Sequence, residues 1–287
     1  SRWRSPLLGE RKSLALGQGQ LDYYERGEGP VVVFAHGWLA NANLWRKVVD
    51  LLADRFRCIA LDLPLGSHRR PLDPGADLTP SGCGELIADA LDALGVDDVT
   101  LVGNDSGGAY SQIATARRPD RVARLVLNSC ETPYDEFPPP PFDRLPSVAR
   151  DENQLGTLLD ALRDPAVRAS DAAYGLLAKH PVDAVVSDSY ALPATLDRAI
   201  LRDTSKAMSS AASAPVHAAG KRLIGDLALP VLLAWSPDDR VFPIENARRY
   251  AAALPQARVA SIEDAYSFTP EDQPERLATA IAAFAGG

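Results

Sequence analysis

Apolar residues along the 287-residue chain come in two alternating patterns, short unbroken runs and longer stripes at helical spacing. Val31-Val32-Val33-Phe34-Ala35 and Val231-Leu232-Leu233-Ala234-Trp235 have no polar position at all. Such a run reads as a strand buried on both faces, as in a parallel sheet covered by helices. Residues 57–61, 99–102, 122–127 and 259–262 read as further strands. Between them, Trp45, Val48, Val49 and Leu52 fall on one helical face. Thr79 opens a second helix that runs to Leu94 with Gly95 as its C-cap, and a third spans 107–118 before Pro119. Residues 244–254 and 275–284 predict two more. An opening hairpin, 12–16 with 20–25, is separated by Gly17-Gln18-Gly19.

The alternation stops at Glu131. Pro133 and Phe137-Pro138-Pro139-Pro140-Pro141-Phe142 exclude a sheet or helix interior, because proline has no N–H to donate and clashes with a preceding helical turn. From about 146 to 221 only helical spacing remains, as at Leu155, Leu158, Leu159 and Leu162. The pattern predicts an α/β core from 1–132 and 226–287, split by a helical cap at 133–225. The proline run reads as a stiff linker, so the cap is expected to be the more mobile half.

A net charge of −8 lacks the basic footprint of a nucleic-acid binder. Charged residues at 24% and hydrophobic ones at 46% are those of a globular protein, not a disordered one. No apolar run reaches the ~18 residues of a membrane helix, and none follows Ser1-Arg2-Trp3-Arg4 to make a signal peptide. A cytoplasmic location without membrane association is expected. Cys58, Cys83 and Cys130 lack metal-site spacing and no phosphate loop is present, so neither metal nor organic cofactor is expected. The expected partner is a small-molecule substrate, with the oligomeric state left open, a homodimer included.

Candidate chemistry centres on Leu101-Val102-Gly103-Asn104-Asp105-Ser106-Gly107-Gly108, between a strand and a helix. Gly103 and Gly107 flank Asp105 in the spacing of a nucleophile elbow, a tight turn that tips its middle side chain outward. Shifting the elbow by one would make Ser106 the nucleophile and put Asn104 at a glycine position. A Gly-rich turn without chemistry is the remaining alternative. Here the chain resembles the α/β-hydrolase superfamily, in its branches with a carboxylate nucleophile: haloalkane dehalogenases, fluoroacetate dehalogenases and epoxide hydrolases. The resemblance implies an α/β-hydrolase fold, a mostly parallel sheet with helices on both faces. It also implies attack by Asp105 on an alkyl carbon to form an ester.

The resemblance extends to His36-Gly37-Trp38, which would supply the Trp38 N–H, beside that of Ser106, to an oxyanion hole, with His36 structural. Dehalogenases carry a halide-binding Asn where this chain has Trp38 and a Trp where it has Ser106. Epoxide hydrolases use two cap tyrosines as proton donors, for which Tyr174 and Tyr190 are the candidates, and Trp38 would join them in binding substrate. In Ser236-Pro237-Asp238-Asp239, the family pattern makes Asp239 the acid and leaves Asp238 solvated. Glu131 resembles the catalytic Glu of one dehalogenase subgroup, with a solvent-facing role as its alternative. The family's Asp-Ala-x-His-Phe is Asp264-Ala265-Tyr266-Ser267-Phe268 here, so Ser267 stands at the histidine position. Serine has no useful basicity near pH 7, and His68, after the fourth strand, is the nearest candidate for a substitute base. Three functions follow from these residues. One is hydrolysis of an epoxide, alkyl halide or ester-like electrophile through an Asp105 ester. A second is a non-hydrolytic lyase, isomerase or cyclase working through Asp105 and Asp239. The third is a binding protein that has lost catalysis.

Overall fold

In the computed structural model, which describes residues 2–286, the unbroken apolar runs become the interior of an eight-stranded sheet. Its strands are β1 (Glu10–Leu16), β2 (Gly19–Arg26), β3 (Val31–Ala35), β4 (Arg57–Leu61), β5 (Val99–Asn104), β6 (Val122–Asn128), β7 (Val231–Trp235) and β8 (Ala257–Ser261). They lie in the order β1-β2-β4-β3-β5-β6-β7-β8. The β1–β2 and β2–β4 pairs are antiparallel and the rest parallel. Every residue of β5 and β7 is buried, as expected for strands covered on both faces, whereas the edge strands β1 and β8 are half exposed. Strand β5 runs two residues beyond its apolar stretch because Asn104 stays in register with Asn128 of β6. Strand β8 starts two residues earlier than its apolar stretch, where Ala257 pairs with Val231.

The α-helices of the core are α1 (Arg46–Leu52), α2 (Pro80–Leu94) and α3 (Ser106–Arg117). Between β6 and β7 the chain is entirely helical or irregular: α4 (Leu145–Val148), α5 (Glu152–Asp160), α6 (Pro165–Arg168), α7 (Ala184–Ala191), α8 (Pro193–Leu196), α9 (Arg198–Ser209) and α10 (Ser213–Gly225). The C-terminal part holds α11 (Ile244–Ala253), α12 (Thr269–Asp272) and α13 (Pro274–Ala285). Thr79 accepts the Gly82 N–H at the start of α2, and Gly95 closes it at φ 62°, which suits glycine.

Two apolar clusters form. The larger surrounds the sheet, with Trp45, Trp235 and Phe34 fully buried, and burial of such side chains is worth roughly 1.5–3 kcal/mol each. The smaller joins Leu39 to Ala149, Leu155, Leu159, Ile200, Leu201 and Met208, and it anchors the helical segment above the sheet. Strand β3 lies between β4 and β5, so the chain crosses from one side of β3 to the other at that point. Open α/β sheets bind ligands beyond the C-terminal strand ends at such a switch. His36, Asp105, Glu131, Asp239 and Ser267 all follow the C-terminal ends of neighbouring strands, β3, β5, β6, β7 and β8.

Candidate active site

Asp105 is forced into its position by backbone. It sits at φ 55°, ψ −143°, a conformation L-residues seldom adopt, between β5 and α3. The turn closes only because Gly103 has no side chain, since a Cβ there would lie 2.5 Å from Gly107 O. The Asp105 N–H donates to Ser129 O at 2.9 Å, tying the elbow to the end of β6. Its Oδ1 accepts the Ser106 N–H, and the Ser106 side chain also hydrogen-bonds the carboxyl. Burial pushes this carboxyl up to about 6, and the Asp239 charge adds to that against the pull of the Ser106 N–H.

The loop after β3 is pressed onto this carboxylate. A Cβ on Gly37 would come within 2.6 Å of Asp105 Cβ and 2.7 Å of its Cγ, so only glycine permits the approach. The Trp38 N–H donates to Ser106 Oγ at 2.9 Å. Of the two expected oxyanion donors, the Ser106 N–H is on the carboxylate and the Trp38 N–H is one hydroxyl away. His36 is fully buried, donating from Nδ1 to Gly37 O at 2.9 Å and accepting the Leu63 N–H at Nε2 at 2.8 Å. Burial lowers its pKa to about 4, so it holds the loop as a neutral ring.

Asp239 accepts at Oδ1 from the N–H groups of Val241 and Phe242, both at 2.9 Å, and from Ser267 Oγ at 2.7 Å. Burial raises its pKa even so, and its Oδ2 has no partner. Ser267 is fully buried, does not line the cavity described below, and has its hydroxyl directed to Asp239. Asn104 donates from Nδ2 to Ser267 O at 2.9 Å and to Asn128 O at 2.9 Å, and Asn128 in turn donates to Ala234 O and Thr269 Oγ1, each at 2.7 Å. This amide ladder across the ends of β5, β6 and β7 holds the Ser267 loop. The sequence signal for it was a polar residue closing each of two buried strands.

A cavity of about 430 Å³ opens above the elbow. Its walls are mainly apolar, including Leu39, Phe137, Leu159, Leu162, Met208 and Phe242. Of its lining residues Leu158 is 45% exposed, Asp105 is half-buried and Glu131 is buried. Asp171, also in the lining, is paired with Arg240 at 2.7 Å. Glu131 is 1% exposed, its Oε2 has no partner, and its backbone carbonyl accepts the Gln112 Nε2–H at 2.8 Å. Burial drives its carboxyl well above the usual range, and the charge of Asp105 adds to this. Its alternative as a solvent-facing residue is therefore excluded.

Two expected roles are corrected. His68 is 1% exposed and outside the cavity lining, with Nε2 donating to Asp203 Oδ2 at 3.2 Å and Nδ1 accepting the Gly66 N–H. It ties the loop after β4 to α9 and does not reach the site as a base. Tyr190 is fully buried, donating to Glu271 Oε1 at 2.8 Å beside Arg46, and it also lies outside the lining. Tyr174 does line the cavity, but its hydroxyl donates to Leu39 O at 2.8 Å, so it presents a ring and no proton. Neither tyrosine is the proton donor expected of it. Trp38 is in the lining with its indole N–H on Thr204 O at 3.4 Å.

Residues 30–274 match the family model of the α/β hydrolase fold. The chain belongs to the α/β hydrolase fold family. Within this family it is similar to haloalkane dehalogenase 2 of Mycobacterium tuberculosis, 26% identical over 92% of this chain and 91% of that protein. It is equally similar to the cis-3-alkyl-4-alkyloxetan-2-one decarboxylase of Shewanella oneidensis, 26% identical over 96% and 88%. Among solved structures, an α/β hydrolase fold protein from Burkholderia ambifaria superposes with a TM-score of 0.80 at 23% identity, covering 96% of this chain and 97% of the other. No helix among the described residues is long and apolar enough to cross a membrane, and none of their His, Cys, Asp and Glu side chains form a metal-binding group.

Proposed function

We propose that this α/β hydrolase fold protein is a hydrolase whose Asp105 carboxylate attacks a saturated carbon of an apolar electrophile and forms an ester with it as the bond from that carbon to a halide or ring oxygen breaks. One observation carries this reading. Asp105 Oδ1 is held by the Ser106 N–H, the Ser106 side chain is the other donor acting on the carboxyl, and this carboxylate lines a mainly apolar cavity. A carboxylate so placed has one oxygen fixed by the backbone and bonds to carbon through the other. At pH 7 it is mostly ionised, since its pKa lies near 6. In the second half of the reaction water adds to Cγ, and the charge appears on Oδ1, where the Ser106 N–H already sits. The helical segment between β6 and β7 would act as the cap that excludes bulk water, and the apolar walls favour a substrate with a hydrocarbon body.

The Shewanella relative supports a second reading. No histidine lines the cavity, and Ser267 is directed to Asp239, so no imidazole stands ready to activate water. An oxetanone opened by Asp105 at the saturated carbon that bears its ring oxygen gives a free carboxylate, which can leave as carbon dioxide while a carbon–carbon double bond forms and the Asp105 carboxylate is expelled, without hydrolysis. Turnover in water enriched in oxygen-18 separates the two. Hydrolysis through an ester places the label in the peptide that contains Asp105, and Asp105→Asn abolishes both label and turnover. Turnover that leaves this peptide unlabelled and releases carbon dioxide selects the second reading, and turnover by Asp105→Asn overturns both.

A further inference from the structure

We infer that Glu131 is a catalytic residue in its own right, a proton donor to an oxygen leaving group and afterwards the base that activates water, so that the preferred substrates are strained cyclic ethers of the epoxide class. This rests on Asp105 as the nucleophile.

The hydroxyl of Tyr174 is bound to Leu39 O and the indole N–H of Trp38 to Thr204 O. The Trp38 backbone N–H is on Ser106 Oγ, and the Ser106 N–H is on Asp105. The Tyr110 hydroxyl interacts with the Cys83 thiol. None of these N–H groups is therefore left to cradle a departing halide ion. The Ser106 side chain is engaged with the Asp105 carboxyl, and an alcohol is no stronger an acid than the conjugate acid of the alkoxide it would have to protonate, so it does not serve as the proton donor. Glu131 differs. It lines the same cavity, it follows Ser129, whose carbonyl holds the Asp105 N–H at 2.9 Å, and its Oε2 has no partner. Asp105 and Asp135 are the charged groups acting on it, Tyr110 and Cys130 lie beside it, and no cation is among them. In these surroundings burial and the neighbouring negative charges favour the neutral carboxyl.

The sequence of steps closes on itself. Asp105 Oδ2 bonds to a ring carbon as the carbon–oxygen bond breaks toward oxygen, and that oxygen takes the proton of Glu131. Negative charge has then moved from Asp105, now an ester, to Glu131. The Glu131 carboxylate next takes a proton from water as the water oxygen bonds to Asp105 Cγ, with Oδ1 held by the Ser106 N–H. Collapse breaks the Cγ–Oδ2 bond, and the departing alkoxide takes the proton of the re-formed Asp105 carboxyl. The products are a diol, ionised Asp105 and neutral Glu131. One carboxyl that serves first as acid and then as base is also how retaining glycosidases work.

Two probes test this on the full chain by intact mass spectrometry and product analysis. Styrene oxide needs a proton on its leaving oxygen, and phenacyl bromide releases an ion that needs none. Wild-type protein is expected to turn over styrene oxide to the diol and to be esterified at Asp105 by phenacyl bromide. In Glu131→Gln, epoxide opening should fall by ~10²–10⁴-fold. Phenacyl esterification should remain, which also shows that the variant is folded. Epoxide opening by Glu131→Gln at the wild-type rate overturns the inference, as does wild-type protein that takes phenacyl bromide and leaves styrene oxide untouched. No Asp105 ester from either probe, with no diol, removes the nucleophile reading beneath it.

Discussion

The floor and the roof of the cavity are held in place by different physics. The floor is backbone: Asp105 at positive φ, Gly37 and Gly103 in contact with it or with its turn, and main-chain N–H groups on the carboxylates. The roof is side chain: Leu158, Leu159, Leu162 and Met208 project from short helices whose few buried residues form their own small cluster. Backbone geometry tolerates almost no substitution, whereas apolar packing accepts any residue of similar volume. Reaction type should therefore depend on the floor and substrate choice on the roof.

The largest effect that sharpens this contrast is expected at Gly37. Gly37→Ala drives a methyl group into Asp105 and should displace it by part of an ångström, lowering kcat by ~10²-fold or more. A variant with unchanged kcat would show that the floor is as adaptable as the roof. Next is Asp105→Asn, read as stability instead of rate. A carboxyl raised from its unfolded value to about 6 favours the folded state only while protonated, so its ionisation costs stability as pH rises through about 4 to 6. Asp105→Asn should therefore be more stable than wild type at pH 8, by ~3 kcal/mol, with the gap closing below about pH 4. His36 has the opposite sign. Its pKa is lowered to about 4, so stability at that site is lost as pH falls from about 6.5 toward 4. Thermal unfolding of the two proteins across this range checks both directions.

Asn104→Ala removes the donor that holds Ser267 O and should cost ~1–3 kcal/mol in urea unfolding. A loss confined to a few tenths would mean that the ladder does not support the floor. The smallest effect belongs to the roof: Leu158→Ala, at a residue 45% exposed, should change stability by less than ~0.5 kcal/mol and move KM for bulky substrates while leaving kcat. Hydrogen exchange extends the comparison within the helical segment itself. The proline run led to an expectation of mobility for all of it, but α7 and α9 are bound to the core through Ser189, Tyr190 and Asp203. Fast exchange is expected in α4 and α5 and slow exchange in α9, and uniform exchange across the segment would contradict the division.

Much of the floor was legible in the chain itself. Gly103, Asp105 and Gly107 mark a strand-to-helix turn by local sterics alone, and an unbroken run such as Val31 to Ala35 can only be a strand covered on both faces. That Asp239 would face position 267 was implied by the family resemblance and not by local spacing, and the Ser267 hydroxyl does donate to Asp239. The hydrogen-bond partners of the long-range polar side chains were a different matter. His68 meets an aspartate 135 residues away, the Tyr190 hydroxyl a glutamate 81 residues away, and the Tyr174 hydroxyl a carbonyl at the same separation as His68 from its own. From their positions alone all three were candidates for proton transfer. Sequence spacing determines backbone conformation and which face a residue occupies, because those depend on neighbours within a few residues. Whether a polar atom is already satisfied depends on groups that only the folded chain brings within 3 Å or so, and that is why Glu131, with an oxygen left unpartnered, could be told from the tyrosines only in the tertiary structure.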